Sequence, residues 1–380
     1  MQIVPIASGK GGVGKSLLAA NLSIALAQAG RRVVLADLDL GGSNLHTILG
    51  LSAVPRGIGT YLSNTHGKLE DIFVETDYAG LRFLPGDAEI PGMANLKSSQ
   101  KRLLLRRLQA LDVDYLVLDL GAGTNFNTLD FFLISGRGII VTDPTLTATL
   151  NAYLFLKNSV FRIMSASFKS KSPAADYLES LRHEEGSLQR VYVPRLLEEI
   201  GARDPEARAA YESRIASFRP RLVLNMLDNP KDGEKAGKIR RSCGEYLAIE
   251  MEHLGIIYRD HLQDIALASR LPIIIYKPES ILAQAVYRIA DKLIQQEGEA
   301  SIPVGYQDFE DGYEEAELEA QGDFDEKLRS LEDLLRSGAL TEGDLIETIR
   351  TQQYEIGTLR KENQLIKAKL VKAITAGFKV

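Results

Sequence analysis

The feature that most constrains the fold of this chain is a glycine-rich loop between an apolar run and a helix-favouring run. The loop GKGGVGKS, from Gly9 to Ser16, fits the phosphate-binding pattern G-x-x-x-x-G-K-[ST]. Residues 2–8 before it predict a buried strand, and a helix closed by Gly30 is expected over about residues 15–29. A strand, a phosphate loop and a helix in this order are typical of the first unit of an α/β sheet.

Short runs rich in Val, Ile and Leu recur after this unit and predict further strands. They are RRVVLADLD, LRFLPGD, DYLVLDLGAG, RGIIVTDP, RPRLVLNM, HLGIIYRD and LPIIIYKP. Continuous apolar runs that alternate with helical sequence indicate a mostly parallel sheet covered on both faces. The predicted fold class is therefore α/β, a doubly wound, mostly parallel sheet with helices on both faces, over residues 1–296.

The rest of the chain predicts three additions to this sheet domain. Sequence that is charged and favours helices predicts a helical insertion at about residues 161–219. Residues 305–326 hold ten acidic residues and no Lys or Arg. Such a block is typical of a solvated linker, which we place at residues 297–322. A helical tail, residues 323–380, follows it.

The tail carries two overlapping patterns. From residue 345 to 377, alternating steps of four and three place a heptad seam that contains Asn363, which predicts a two-stranded coiled coil. The last 22 residues hold six basic residues and one acid, which predicts a basic amphipathic helix for an anionic membrane surface. Its apolar face consists of Ile366, Leu370, Ile374 and Phe378. Ile366 and Leu370 belong to both patterns, so the coiled coil and the membrane anchor are alternatives.

Composition excludes several classes of protein. A net charge of −6 argues against a protein that coats nucleic acid over its whole surface. Cys243 is the only cysteine, which excludes a disulfide framework and a Cys-only zinc or iron–sulfur site within one chain. The start has no charged region of a signal peptide, and no apolar run reaches the roughly 18 residues of a membrane span. We therefore expect a cytoplasmic protein, peripheral at the inner face of the membrane if the tail is an anchor.

The residues of the loop suit phosphate binding. Glycines let successive backbone N–H groups turn inward around an anion, and the start of the next helix adds its dipole. Lys15 is expected to reach the β- and γ-phosphates, and Ser16 to offer its hydroxyl to Mg²⁺. The predicted nucleotide-contacting residues of the loop are Gly9, Lys10, Gly11, Gly12, Val13, Gly14, Lys15, Ser16 and Leu17.

Acidic residues at the ends of two predicted strands complete a candidate metal site. Asp119 ends a buried run, where a carboxylate that holds Mg²⁺ belongs in a phosphate-loop protein. Asp37 and Asp39 close the second run, and being two residues apart they face the same side of a strand. One would serve the Mg²⁺ shell, and the other would orient an attacking water. The predicted metal-binding residues are Ser16, Asp37, Asp39 and Asp119.

These motifs resemble those of one known superfamily. KGGVGKS, DLDLGGSNLHTILG and DYLVLDLGAG are similar to the deviant Walker A motif, switch I and switch II of the MinD/ParA superfamily, and the last two to its MinD and FlhG branch. The resemblance extends through RLVLNM, LGIIYRD and RLPIIIYKPES. It implies an ATPase that binds ATP and Mg²⁺, forms a nucleotide-sandwich homodimer and hydrolyses ATP slowly, stimulated by an activating protein partner. It also implies that the protein positions a cellular structure such as the division site, flagella, pili or a polar complex.

The resemblance also assigns roles to individual residues. In the superfamily the first lysine of the loop reaches across the dimer to the partner's phosphates, which here is Lys10. A cation supplied by a second subunit stabilises the charge that spreads during phosphoryl transfer and so ties turnover to dimerisation. The implied catalytic set is Lys10, Lys15 and Asp39, with Asp39 positioning the water, and Asn225 is implied to lie near the adenine.

Other functions stay open on the sequence. A metabolic or metal-trafficking P-loop ATPase would share the fold, but iron–sulfur carriers need paired cysteines, which Cys243 alone cannot supply. The hypothesis of a DNA-partitioning ATPase rests on the basic run KSSQKRLLLRRLQ. The solvated face of a helix would carry the same residues, so nucleic acid is not an expected partner. A bacterial tyrosine kinase would carry a tyrosine cluster in its tail, whereas Tyr306, Tyr313 and Tyr354 are scattered. A purely structural coiled-coil protein would not need the phosphate loop.

Overall fold

The computed structural model describes most of the first 297 residues. The exceptions are residues 40, 41, 43, 52–55, 64–67, 87–95, 97 and 184–191. The chain separates into two compact units, Met1–Phe324 and Asp325–Val380. In the second unit only five residues, all helical, are described: Asp325, Gly343, Ile346, Arg350 and Gln353. Apart from Glu297, the predicted acidic linker lies outside the described residues, as do the seam of the predicted coiled coil and the predicted basic helix of the last 22 residues.

The described part of the chain contains an eight-stranded sheet. Its strands are β1 (Gln2–Ala7), β2 (Val33–Leu38), β3 (Val74–Glu75), β4 (Leu81–Leu84), β5 (Tyr115–Leu120), β6 (Ile139–Thr142), β7 (Arg221–Leu227) and β8 (Glu252–Tyr258). They lie in the order β3-β4-β2-β5-β1-β6-β7-β8. Every neighbouring pair is parallel except β3 with β4. This confirms the predicted mostly parallel α/β sheet, while the two-residue antiparallel β3 was not predicted.

Helices connect the strands. They are α1 (Lys15–Gln28), α2 (Leu45–Ile48), α3 (Ile58–Ser63), α4 (Ser98–Gln109), α5 (Phe126–Phe132), α6 (Leu146–Ser167), α7 (Pro173–His183), α8 (Val193–Arg203), α9 (Pro205–Ile215), α10 (Glu234–Ser242), α11 (Leu262–Ala268), α12 (Ile273–Tyr276) and α13 (Ile281–Gln295). Four of them, α6 to α9, separate β6 from β7, and the predicted insertion falls within this stretch. None of the described helices combines the length and the apolar character that crossing a bilayer demands.

Helices cover both faces of the sheet because side chains alternate along each strand. On β5, Val117 packs in the layer with α1 and α13. Its neighbours Leu116 and Leu118 face the opposite layer, which includes α4, α5 and α6. Successive residues of a strand point to opposite faces, so a continuous apolar run supplies two cores at once. The central strands are therefore buried on both faces. Because they are parallel, their carboxyl ends lie at the same edge of the sheet.

The prediction of a last strand at LPIIIYKP is wrong. These residues form the short helix α12, which begins after Pro272. Ile273 and Ile274 are buried, and the Ile274 backbone N–H donates to Asn21 Oδ1 of α1 at 3.1 Å. A short apolar run bounded by prolines has no periodicity that separates strand from helix. The packing of this segment against α1 therefore determines that it is a helix and not a strand.

Candidate functional site

The phosphate loop leaves the end of β1 and enters α1 with two glycines in a left-handed conformation. Gly12 has a φ of 83° and Gly14 a φ of 85°. Backbone in this region favours glycine, since a Cβ would be strained there. A Cβ built at Gly11 or Gly12 meets nothing within 4 Å, so the backbone of the loop borders open space on that side. The loop thus offers an accessible backbone concavity at a helix N-terminus, which suits an anion.

Two other glycines of the loop are needed for close packing. A Cβ on Gly9 would lie 2.2 Å from the backbone C and O atoms of Asn151 in α6. A Cβ on Gly14 would lie 2.2 Å from the side-chain Nδ2 of Asn225 at the end of β7. Neither position leaves room for a larger residue, so the loop is clamped between α6 and β7.

Lys15 and Asp119 form a buried ion pair at the base of the loop. The exposed fractions are 6% for Lys15 and 1% for Asp119, and Lys15 Nζ contacts Asp119 Oδ1 directly. Lys15 Nζ also donates to Ser16 Oγ at 3.2 Å. Burial raises the pKa of Asp119, and the neighbouring Lys15 charge opposes that rise. The lysine expected to bind phosphate is therefore held by a carboxylate that a phosphate has to replace.

The three predicted acids meet at the same edge of the sheet. Asp37 and Asp119 are direct partners in the β2–β5 register, and Asp37 is fully buried. The Asp39 backbone N–H donates to Asp37 Oδ1 at 3.1 Å. Asp39 lies just beyond β2, and its charge contributes to the raised pKa of Asp119. A Cβ on Gly121 would lie 3.3 Å from Asp39 Oδ1, so Asp39 faces the loop that follows β5.

The loop after β5 is tied to the phosphate loop by backbone. Gly123, with a φ of 90°, donates its N–H to the Ser8 carbonyl at 3.1 Å. The Ser8 hydroxyl in turn donates to the Lys10 carbonyl at 2.9 Å. The side chain of Lys10 itself is exposed. The two loops are therefore joined by hydrogen bonds through Ser8, and the Lys10 side chain is accessible from outside the subunit.

Comparison with known proteins finds similarity over the first part of the chain. Residues 1–157 match the family model described as "ParA: NUBPL iron-transfer P-loop NTPase". The antiactivator FleN of Pseudomonas aeruginosa is 30% identical over 159 residues, which is 41% of this chain and 56% of FleN. The flagellum site-determining protein YlxH of Helicobacter pylori is 33% identical over 158 residues, 41% of this chain and 53% of YlxH. The sequence similarity to ParA/MinD-type P-loop NTPases thus lies in the first 157 residues of the chain.

The similarity to relatives is partial, while the fold is shared more widely. The chain spans about half the length of the curated relatives it matches. The septum site-determining protein MinD of Pyrococcus horikoshii, solved with Mg-ADP, is 22% identical and superposes with a TM-score of 0.54. That likeness covers 79% of this chain and 99% of MinD. It shows that the sheet and its covering helices have the ParA/MinD arrangement.

The donor atoms of this site suit Mg²⁺. The Ser16 hydroxyl and the carboxylates of Asp37, Asp39 and Asp119 are oxygen donors, which hard cations prefer. Among the described residues no group of three or more His, Cys, Asp or Glu side chains is placed to hold a metal by itself. A cation here would therefore take further ligands from phosphate and water, as Mg²⁺ usually does.

Asn225 occupies a position that the sequence did not foresee. Its Nδ2 donates to the Val13 carbonyl at 2.8 Å, and the side chain is only 8% exposed. The next residue, Met226, has a φ of 59°. Asn225 thus supports the phosphate loop, and its place near the adenine stays a prediction. Sequence reasoning also missed the Asn151 backbone that packs on Gly9, because the sequence carries no signal for a backbone contact.

Proposed function

We propose that this chain is an ATP-binding, slowly ATP-hydrolysing dimerisation switch that positions or regulates a cellular structure. The observation that carries the proposal is the contrast between the two lysines of the loop. Lys15 is buried and paired within its own subunit, whereas Lys10 is exposed. A loop that needed only one cation for its own phosphates would not require the second.

Binding begins with an exchange of partners at Lys15. When phosphates enter the loop, Lys15 leaves Asp119 for phosphate oxygens, and the loop N–H groups surround the anion. Bound Mg²⁺ neutralises phosphate charge, and Ser16 with Asp119 would hold it. The Asp119 carboxylate that Lys15 releases would be available as a ligand of that cation, so binding of the nucleotide would favour binding of the cation.

In this proposal, hydrolysis requires groups from two subunits: Asp39 of one and Lys10 of the other. Asp39 faces the loop after β5 and accepts a hydrogen bond from the attacking water, which orients it. Lys10 of a second subunit supplies the additional positive charge, as an arginine finger does in trans. Turnover then depends on dimerisation, and a protein partner that orders Lys10 or Asp39 would stimulate it.

The cellular role is inferred from the relatives. FleN is named an antiactivator, YlxH a flagellum site-determining protein and MinD a septum site-determining protein. We therefore favour placement of flagella or of the division site, from the cytoplasm or from the inner face of the membrane. DNA partitioning is not favoured by these names.

An iron-transfer role, which the family description mentions, has little support in this chain. Cys243 is the single cysteine and is fully buried, and burial raises the pKa of its thiol to about 12. Metal binding requires a thiolate that the metal can reach. Cys243 offers neither a thiolate nor access.

Sedimentation velocity of the full chain tests the switch. With Mg²⁺ and a non-hydrolysable ATP analogue, self-association should be tighter than with ADP. The Lys15→Ala variant should lose this difference, because it lacks the cation that binds the β- and γ-phosphates. Equal self-association of the wild type with both nucleotides would contradict the proposal.

A further inference from the structure

A groove of about 550 Å³ lies between the first turns of α6 and the helix α10. One wall carries Leu146, Leu150 and Tyr153 of α6, which are four and three residues apart and therefore share a helix face. The opposite wall carries Ile239 and, beyond the end of α10, Tyr246. The groove is separate from the nucleotide site, since none of the residues assigned to that site lines it.

The α6 wall is unusually exposed for apolar side chains. Leu146 is 83% exposed, Leu150 is 53% exposed, and Tyr246 across the groove is 44% exposed. The apolar surface continues from Tyr246 to Tyr192. The two rings make an edge-to-face contact, with their centroids 6.1 Å apart. Contiguous apolar surface of this kind marks an interaction site more often than single exposed residues do.

The α10 wall adds positive charge to this apolar surface. Lys235 and Lys238 both line the groove, one helical turn apart. Lys235 Nζ forms an ion pair with Asp232 Oδ1 at 3.0 Å. Lys238 is exposed and has no ion-pair partner within the described part of the chain. None of the residues that line the groove is acidic. The surface is therefore apolar along its length and cationic on one side.

We propose that this groove docks an acidic amphipathic helix of a protein partner. A helix lying in a groove anchors itself with apolar residues at i, i+3, i+4 and i+7, which match a wall built with the same period. Carboxylates beside those anchors would meet Lys235 and Lys238, whereas a basic helix would be repelled. Charge complementarity thus selects an acidic partner over a basic one.

The groove is also coupled to the phosphate loop by direct packing. Leu150 is followed by Asn151, whose backbone packs on Gly9 at the start of the loop. A helix seated on Leu146 and Leu150 would therefore act on the turn that supports Lys10. This consequence rests on the proposed function, whereas docking itself does not depend on ATP.

Fluorescence anisotropy with synthetic peptides and the nucleotide-free full chain tests the docking. One labelled peptide is an amphipathic helix with Leu anchors and a Glu polar face, and the other has the same anchors with Lys in place of Glu. The Glu peptide should bind at least about tenfold more tightly than the Lys peptide, a difference typical of a fully engaged charge pair. Equal affinity for both peptides, or binding of neither, would overturn the proposal.

Substitutions inside and outside the groove test whether the peptide binds there. Leu150→Asp and Lys238→Glu should each weaken the Glu peptide about tenfold, and Lys238→Glu should tighten the Lys peptide. Leu103→Asp on α4 and Arg241→Glu on α10 are the controls, since both residues are exposed and lie outside the groove. Leu150 is half exposed, so its replacement leaves the core intact. Equal effects of the controls would overturn the assignment to this groove.

Two further results would assign another occupant and so overturn the partner proposal. If neutralising the acids of residues 305–326 in the full chain tightens the Glu peptide about tenfold, the chain's own acidic segment competes for the groove. If Leu150→Asp abolishes self-association without peptide, the occupant is a second copy. Nucleotide affinity, measured in parallel, separates these outcomes from failure of the switch, because Leu150 and Lys238 lie outside the nucleotide site.

Discussion

At the scale of single residues, the two loop lysines differ in burial and in partner. Lys15→Ala should abolish ATP binding, because it removes the cation at the phosphates. Lys10→Ala should leave binding largely intact and lower turnover by roughly 10³-fold, since its charge is needed only in the transition state. Nucleotide titration and steady-state hydrolysis of the purified variants measure both effects. Equal loss of affinity in the two variants would exclude a role of Lys10 in trans.

Asp39 allows a second prediction at this scale. It lies outside the Lys15–Asp119 pair and faces Gly121. Asp39→Ala should therefore keep ATP affinity and reduce hydrolysis by roughly 10²-fold or more, trapping the ATP-bound dimer. Single-turnover measurements on the variant give the rate of the chemical step. Hydrolysis at the wild-type rate would reduce Asp39 to a surface or metal-shell acid.

The sequence could predict part of this site for a physical reason. Asp37 and Asp119 end strands that are neighbours in a parallel sheet, so their convergence follows from the fold class. The contact of Asn225 with Val13 joins residues 212 positions apart and follows from no local pattern. Likewise, nothing in the sequence indicates that Lys15 rests on Asp119, because that pairing depends on burial.

At the scale of elements, the packing of α6 on the loop predicts the effect of a small substitution. Gly9→Ala would place a Cβ against the Asn151 backbone, which cannot move without shifting α6. We expect a loss of about 1–3 kcal/mol in the free energy of unfolding, together with weaker ATP binding. Gly11→Ala is the matched control for stability, because a Cβ there meets no protein atom within 4 Å.

Chemical denaturation distinguishes the two glycine variants, and nucleotide titration measures the effect of Gly9→Ala on ATP binding. If Gly9→Ala is as stable as Gly11→Ala, α6 does not clamp the loop as the structure indicates.

Elements were predictable where their pattern was long or repeated. Seven of the eight strands are short apolar runs and were predicted, whereas β3 has only two residues. The run at Ile273–Tyr276 became a helix because its backbone bonds to Asn21 and its side chains pack beside α1. Such tertiary contacts override the local preference of a four-residue segment.

At the scale of the whole molecule, the tail decides the state of the nucleotide-free protein. If residues 341–378 form a two-stranded coil, the full chain should dimerise without ATP. Asn363→Ile should tighten that dimer, because a buried Asn in the seam costs stability. Ile356→Asp should dissociate it, while Gln353→Asp, outside the seam, should not.

Sedimentation without nucleotide and flotation with anionic liposomes, with and without ATP, separate the coil from the anchor. A monomer that floats only with ATP would exclude the constitutive coil. A dimer that depends on the seam and ignores liposomes would exclude the anchor, and this second result is the one we expect.

The central claim is that each nucleotide site is completed by a lysine from the other subunit. Mixing the Lys10→Ala and Asp39→Ala variants, each inactive alone, tests it most directly. In a mixed dimer the Lys10→Ala subunit keeps its own Asp39 and receives Lys10 from its partner. Random pairing should therefore restore about a quarter of the wild-type ATPase rate, since half of the dimers are mixed and each has one complete site. A mixture that stays as inactive as its components would contradict the account.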